Sequence, residues 1–167
     1  MKYQRLKLLS SLLILTLAGC NSDRSQVDTS NSQSPAQTSN TAATVVDLTQ
    51  VGCQFLEVEA QNHQYAPQNA EDCEKINSET LAARAAEFKP LELKPGRYIF
   101  RVTNSNVDYP LGFYLRGKGI KKVSLPKVSG GGLTKGITKD YAIELVAGEY
   151  LFSCPLNPTP DYPIIVN

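Results

Sequence analysis

The apolar positions of this chain fall into three regimes. Leu8 to Leu17 is a nearly unbroken apolar run, with two serines and one threonine inside it. Asn21 to Thr44 is rich in Ser, Thr, Asn and Gln and almost free of large apolar residues, so it cannot bury enough surface to offset its ordering entropy. Beyond it the pattern is one of short segments. Cys53 to Glu59 alternates imperfectly and predicts a strand, which Tyr65-Ala66-Pro67 closes. Asn77-Ser78-Glu79 supplies cap residues for a short predicted helix through Leu81, Ala82, Ala83, Ala85, Ala86 and Phe88. From there the period is two. Leu91 and Leu93 alternate, Pro95-Gly96 turns, and Tyr98, Phe100 and Val102 alternate with Ile99, Arg101 and Thr103. Further strands are predicted over Leu111 to Leu115, Ile120 to Leu125, Tyr141 to Leu145 and Tyr150 to Cys154, with Gly130-Gly131-Gly132 as a loop and a last apolar strand at the chain end. Many short strands with regular turn signals predict an all-β sandwich. A parallel sheet would need helices between its strands, and the pattern offers one.

The first regime is a targeting segment. Lys2, Arg5 and Lys7 precede an apolar run too short to span a bilayer. It closes on Leu17-Ala18-Gly19-Cys20, which resembles the lipobox of bacterial lipoproteins. That resemblance implies cleavage before Cys20 and acylation, palmitate-like, of its thiol. Each buried CH₂ contributes roughly 0.8 kcal/mol, and stable anchoring takes more than one chain. The expected organisation is a signal peptide at 1–19, a lipid-anchored tether at 20–44 and a folded domain at 45–167. Roughly 120 residues suffice for one core. The expected location is the bacterial cell envelope, facing the periplasm or the exterior; Asn21 leaves inner and outer membrane both open.

Charge and cysteines narrow the chemistry. Seventeen basic and sixteen acidic residues give a net charge of +1, which argues against nucleic acid. Four cysteines less Cys20 leave three in an oxidising compartment. Cys53 with Cys73 is the expected disulfide; Cys154 pairing with either remains the alternative. An unpaired Cys154 is either an inert buried thiol or a reactive or metal-bound thiolate. His63 is the single histidine and would need Cys154 as its partner for nucleophilic chemistry. No nucleophile–base–acid set can be assembled, so enzymatic activity is not expected. Asp108, Asp140, Glu149 and Asp161 read as surface charges. Arg116, Lys118, Lys121, Lys122, Lys127, Lys135 and Lys139 make the middle third basic, which suits an anionic lipid, an acidic partner or a protected sheet edge.

Three segments resemble cupredoxins, the Greek-key sandwiches of plastocyanin type. Tyr65-Ala66-Pro67 is similar to the aromatic-x-Pro that ends their first strand. Leu91 to Asn104 is similar to the hairpin leading to the asparagine before the first copper ligand. Ala147 to Cys154 is similar to the hairpin leading to the copper cysteine. Asn69 to Glu87 would then be an inserted helical segment. The resemblance implies a Greek-key β-sandwich, but its copper ligands are missing. A type-I site takes two histidines, a thiolate and a weak axial group. Leu111 stands where the first histidine belongs, and Cys154-Pro155-Leu156-Asn157-Pro158-Thr159-Pro160-Asp161-Tyr162-Pro163 contains neither histidine nor methionine. No cofactor is therefore expected. The alternative is copper held by Cys154 with atypical ligands such as His63 or Asn157, for metal binding or electron transfer.

The resemblance also implies that Tyr109-Pro110 lies beside the loop after Cys154. Prolines stiffen that loop and tyrosines offer amphipathic area. Tyr109, Pro110, Asn157, Pro158, Asp161 and Tyr162 are the expected docking residues for an envelope protein, and binding or assembly is the expected role.

Overall fold

The computed structural model describes residues 42–59 and 61–167. Cys20, the signal peptide and nearly all of the expected tether lie outside them. The described residues form a two-sheet β-sandwich with one α-helix. One sheet has the order β2-β1-β4-β7, from β1 (Thr44–Val51), β2 (Gln54–Phe55), β4 (Gly96–Asn104) and β7 (Thr138–Leu145). The other has the order β3-β9-β8-β5-β6, from β3 (Leu91–Leu93), β5 (Leu111–Gly117), β6 (Val128–Leu133), β8 (Gly148–Ser153) and β9 (Tyr162–Val166). β1 runs parallel to β4 and β3 parallel to β9; the remaining pairs are antiparallel.

The period-2 pattern places the core. Tyr98, Phe100 and Val102 of β4 face Phe113 and Leu115 of β5, Tyr150 and Phe152 of β8, and Tyr162, Ile164 and Val166 of β9, all buried in one cluster. Burying each such side chain contributes roughly 1.5–3 kcal/mol. Phe55 sits at its centre, edge-on to Phe113, Phe152 and Tyr162. Among the described residues the core is drawn from Leu48 to Val166, and Ser39–Asn167 is one compact unit.

The registers define two ends. Val51, Asn104, Leu111, Ser153 and Tyr162 gather at one, the Cys154 end. Thr44, Gly96, Leu145, Gly148 and Gly117 gather at the other, where β1 begins.

Four local expectations differ. The first full strand is β1, and within Cys53 to Glu59 only Gln54 and Phe55 pair. The helix α1 spans Ala70–Arg84, extended by a 3-10 turn at Ala85–Glu87. Its cap is Asn69, whose side chain accepts from Asp72 N at 3.0 Å. Asn77 lies inside the helix, buried and bonded elsewhere. Gly119–Val123 is a 3-10 turn rather than a strand. Gly130 to Gly132 lie inside edge strand β6, because a Cβ at Gly130 would meet the Tyr141 ring at 2.8 Å. That edge is partly capped: Lys139 Nζ donates to Gly131 O at 2.8 Å and Tyr141 Oη to Gly130 O at 3.5 Å.

Candidate functional site at the Cys154 end

Cys53 and Cys73 form a disulfide that ties the β1–β2 turn to α1. Cys53 itself has a positive φ of 62°, a conformation that costs a non-glycine residue about 1–3 kcal/mol unless its surroundings enforce it. Here Asn157 does so: its Oδ1 accepts from Cys53 N at 3.2 Å, and its Nδ2 donates to Val51 O at 3.0 Å. Cys73 Sγ lies 3.0 Å from the same Oδ1, a close contact without a proton to share. Tyr109 completes the junction. Its hydroxyl sits 3.0 Å from Asn157 Oδ1 and 3.2 Å from Asn69 O, at the start of α1. Burial, with the nearby Cys154 second, pushes the Tyr109 phenol up to about 12. Asn104 fixes the loop before Tyr109: its buried amide donates to Val107 O and Leu133 O at 3.0 Å and to Tyr109 O at 3.5 Å, and accepts from Val107 N at 2.9 Å.

Cys154 is free and buried. Its Sγ accepts from Gly112 N at 3.2 Å, and its own N donates to Thr159 Oγ1 at 2.9 Å. Burial pushes the thiol up, against the weaker opposing pull of backbone donors, so the neutral form dominates near pH 7. Behind it, Gln50 Nε2 donates to Gly112 O at 2.8 Å, while Gln50 Oε1 is buried without a partner among the described residues.

A second polar cluster sits beneath α1. Arg84 makes a bidentate pair with Glu59, Nε to Oε2 at 3.0 Å and Nη2 to Oε1 at 2.6 Å, and both side chains are almost fully buried. Tyr162 Oη donates to the same Oε1 and accepts from Phe55 N at 3.4 Å. Burial and the Glu59 carboxylate both push the Tyr162 phenol far up. His63 Nε2 lies 3.1 Å from Glu59 Oε2, and its ring stacks on Tyr65. Arg84 Nη1 also donates to Asn77 Oδ1 at 2.6 Å, and Asn77 Nδ2 reaches Pro158 O. The Glu59–Arg84 pair gives no signal in the sequence, because its partners are 25 positions apart and only the tertiary fold brings them together.

The expected site residues therefore divide. The Tyr109 and Asn157 loops do meet. Asn157 and Tyr162, however, are fully buried, so neither presents a docking surface; each spends its polar atoms on the fold. Pro110 and Asp161 are exposed, and Asp161 pairs with Arg116 at 2.6 Å. Pro158 is half-buried. The side chains of His63, Cys154 and Asn157 bond to different partners, and among the described residues no group of three or more His, Cys, Asp or Glu could hold a metal ion. What the sequence did not single out is an open groove of about 610 Å³ beside the loop after Cys154. Gly112, Lys127, Val128, Gly130, Pro155 and Leu156 are among the residues that line it. The chain matches no family model and no curated protein.

Proposed function

We propose that this is a membrane-anchored lipoprotein of the bacterial cell envelope whose cupredoxin-like domain has lost type-I copper and serves in protein binding or assembly. The strand order supports the Greek-key part of that reading. β4 to β5, β6 to β7 and β7 to β8 each pass between the sheets, and the parallel pairs β1–β4 and β3–β9 require crossovers. The observation that carries the loss of copper is the use made of the would-be ligand positions. Leu111, at the first-histidine position by resemblance, is fully buried in the core. The Cys154 thiol is held neutral, and both ends of the Asn157 amide are bound to the β1–β2 turn. This donor set does not fit a type-I copper ion.

The docking element is the groove beside Leu156, and its occupant is an extended, apolar and acidic segment of an envelope protein. Apolar lining beside Lys127, and a stretch from Tyr109 to Lys139 with no acidic residue, set that chemistry. Two experiments test the reading. The chain from residue 39 is offered Cu(I) and Cu(II), excess is removed, and bound metal is assayed. No retained copper is expected; stoichiometric copper, lost in Cys154→Ser, overturns the reading in favour of a metal-handling protein. A photo-crosslinking residue at Leu156 in the anchored chain should then give one discrete adduct with an envelope protein. The same residue at Ala142, on the outer face of β7, should give none. Lys127→Glu should abolish the adduct at Leu156. Equal labelling from both positions sinks the groove as a docking site.

A further inference from the structure

The turn Gly119–Val123, between β5 and β6, has a composition that the groove reading does not use. Ile120 and Val123 are 93% and 90% exposed, while every other exposed large apolar residue among those described lies at or below 48%. Between them stand Lys121 and Lys122, which make no ion pair among the described residues, and Lys118 precedes them. This is not a frayed loop. Lys121 N donates to Lys118 O at 3.2 Å, Leu125 N to Lys121 O at 3.0 Å and Lys118 N to Glu149 O at 2.9 Å. Gly117 allows the turn to fold back, since a Cβ there would meet Lys121 O at 2.4 Å. These bonds fix the turn against β8, and it holds two β-branched side chains out in water.

We propose that this turn is a second membrane contact, an apolar tip flanked by lysines that seats in an anionic lipid surface. Three observations select lipid. Two bare aliphatic side chains suit the acyl boundary, where aliphatic groups enter and lysines stay with the headgroups. The stretch from Tyr109 to Lys139 is basic throughout, so its field attracts anionic headgroups. The turn also lies at the end of the sandwich where β1 begins at Thr44, because Gly117 registers with Tyr150 and Gly148 with Val166 there, while Gly96 and Leu145 pair beside the start of β1. A tether from a lipidated Cys20 would enter the domain at that same end. Only this last observation leans on lipidation of Cys20; the first two concern the domain alone.

The test uses the chain from residue 39, which lacks any acyl chain, with phosphatidylcholine vesicles made with and without phosphatidylglycerol. Co-sedimentation is expected with the anionic vesicles and not with the neutral ones. Lys121→Glu with Lys122→Glu should weaken binding by more than roughly twentyfold, at about fivefold per lysine lost. Ile120→Ser with Val123→Ser should weaken it more than about tenfold. Neither pair of side chains packs in the core, so thermal melting should be unchanged. The chain has no tryptophan, so Ile120→Trp reports insertion directly, with a blue-shifted emission on anionic vesicles. Absence of binding to anionic vesicles, equal binding by the serine variant, or an unshifted tryptophan each overturns the proposal. Failure here leaves the groove reading intact, since Leu156 and Lys127 are untouched.

Discussion

At the scale of single residues, Asn157 joins more segments than its neighbours do. One amide holds Val51, Cys53 and Tyr109, so Asn157→Ala leaves a buried N–H, a buried carbonyl and a phenol short of partners. At roughly 1–3 kcal/mol per stranded group, a loss of about 3 kcal/mol is expected, which lowers Tm by roughly 10 °C. Calorimetry on the chain from residue 39 checks it, and an unchanged Tm would mean that Asn157 does not hold these segments together. Tyr162 gives a prediction in pH. An unfolded tyrosine ionises near 10.0, and the folded one is held well above that by burial and by Glu59. Between those values the unfolded chain has lost a proton that the folded chain keeps. This contribution is therefore complete below pH 10 and is lost as pH rises, by up to about 1.4 kcal/mol per pH unit. Cys154, also raised from its ordinary 9.0 by burial, adds the same sign from pH 9. Denaturant midpoints measured from pH 8 to 11 should fall steadily, and less steeply in Tyr162→Phe; parallel curves would refute the assignment.

At the scale of elements, α1 is attached by an uncommon means. Its buried residues are Cys73, Asn77 and Arg84, so it docks through a disulfide, an amide and an ion pair rather than an apolar stripe. Arg84→Met strands the Glu59 carboxylate among Tyr162 and His63 and should cost about 3–5 kcal/mol, whereas Glu59→Leu together with Arg84→Met should recover most of it. Urea titration separates these cases, and equal losses in the single and double variants would contradict them. Cys53→Ala with Cys73→Ala should cost about 3 kcal/mol for a loop of this length while the sandwich keeps its strand spectrum by circular dichroism. This mode of attachment also explains what the sequence revealed. The strands were legible because Tyr98, Phe100 and Val102, or Tyr150 and Phe152, alternate against solvent-facing neighbours and carry their period in the local sequence. The helix start was misplaced because Asn69 and Asn77 are both good caps, and only burial against Pro158 decides between them. The turn at Gly119–Val123 reads as a strand because Ile120, Val123 and Leu125 are β-formers, and their failure to pair is a tertiary outcome. Asn157 and Tyr162 were legible as important positions but not as internal ones, since a proline-rich loop gives no periodicity from which inside and outside can be told.

At the scale of the molecule, chemistry is divided between the two ends. The Cys154 end holds the disulfide, the Asn157 junction and Leu156, from which the groove runs along β5 and β6 toward Lys127. The opposite end holds the start of β1, the chain's last strand residues and the lysine-flanked tip. Strand β5, seven residues from Leu111 to Gly117, spans about 23 Å, so a domain resting on lipid by its tip would hold the Leu156 end of the groove about that far from the membrane. Were Cys20 lipidated, the tip would supply a second point of attachment, and two points set an orientation. If Cys20 anchors the chain, the expected signature is an asymmetry of labelling. Leu156→Cys should react readily with a membrane-impermeant maleimide, and Ile120→Cys should react several-fold more slowly until detergent is added, while buried Cys154 gives little background. If both positions label at the same rate before and after detergent, the tip is not a membrane contact in the cell.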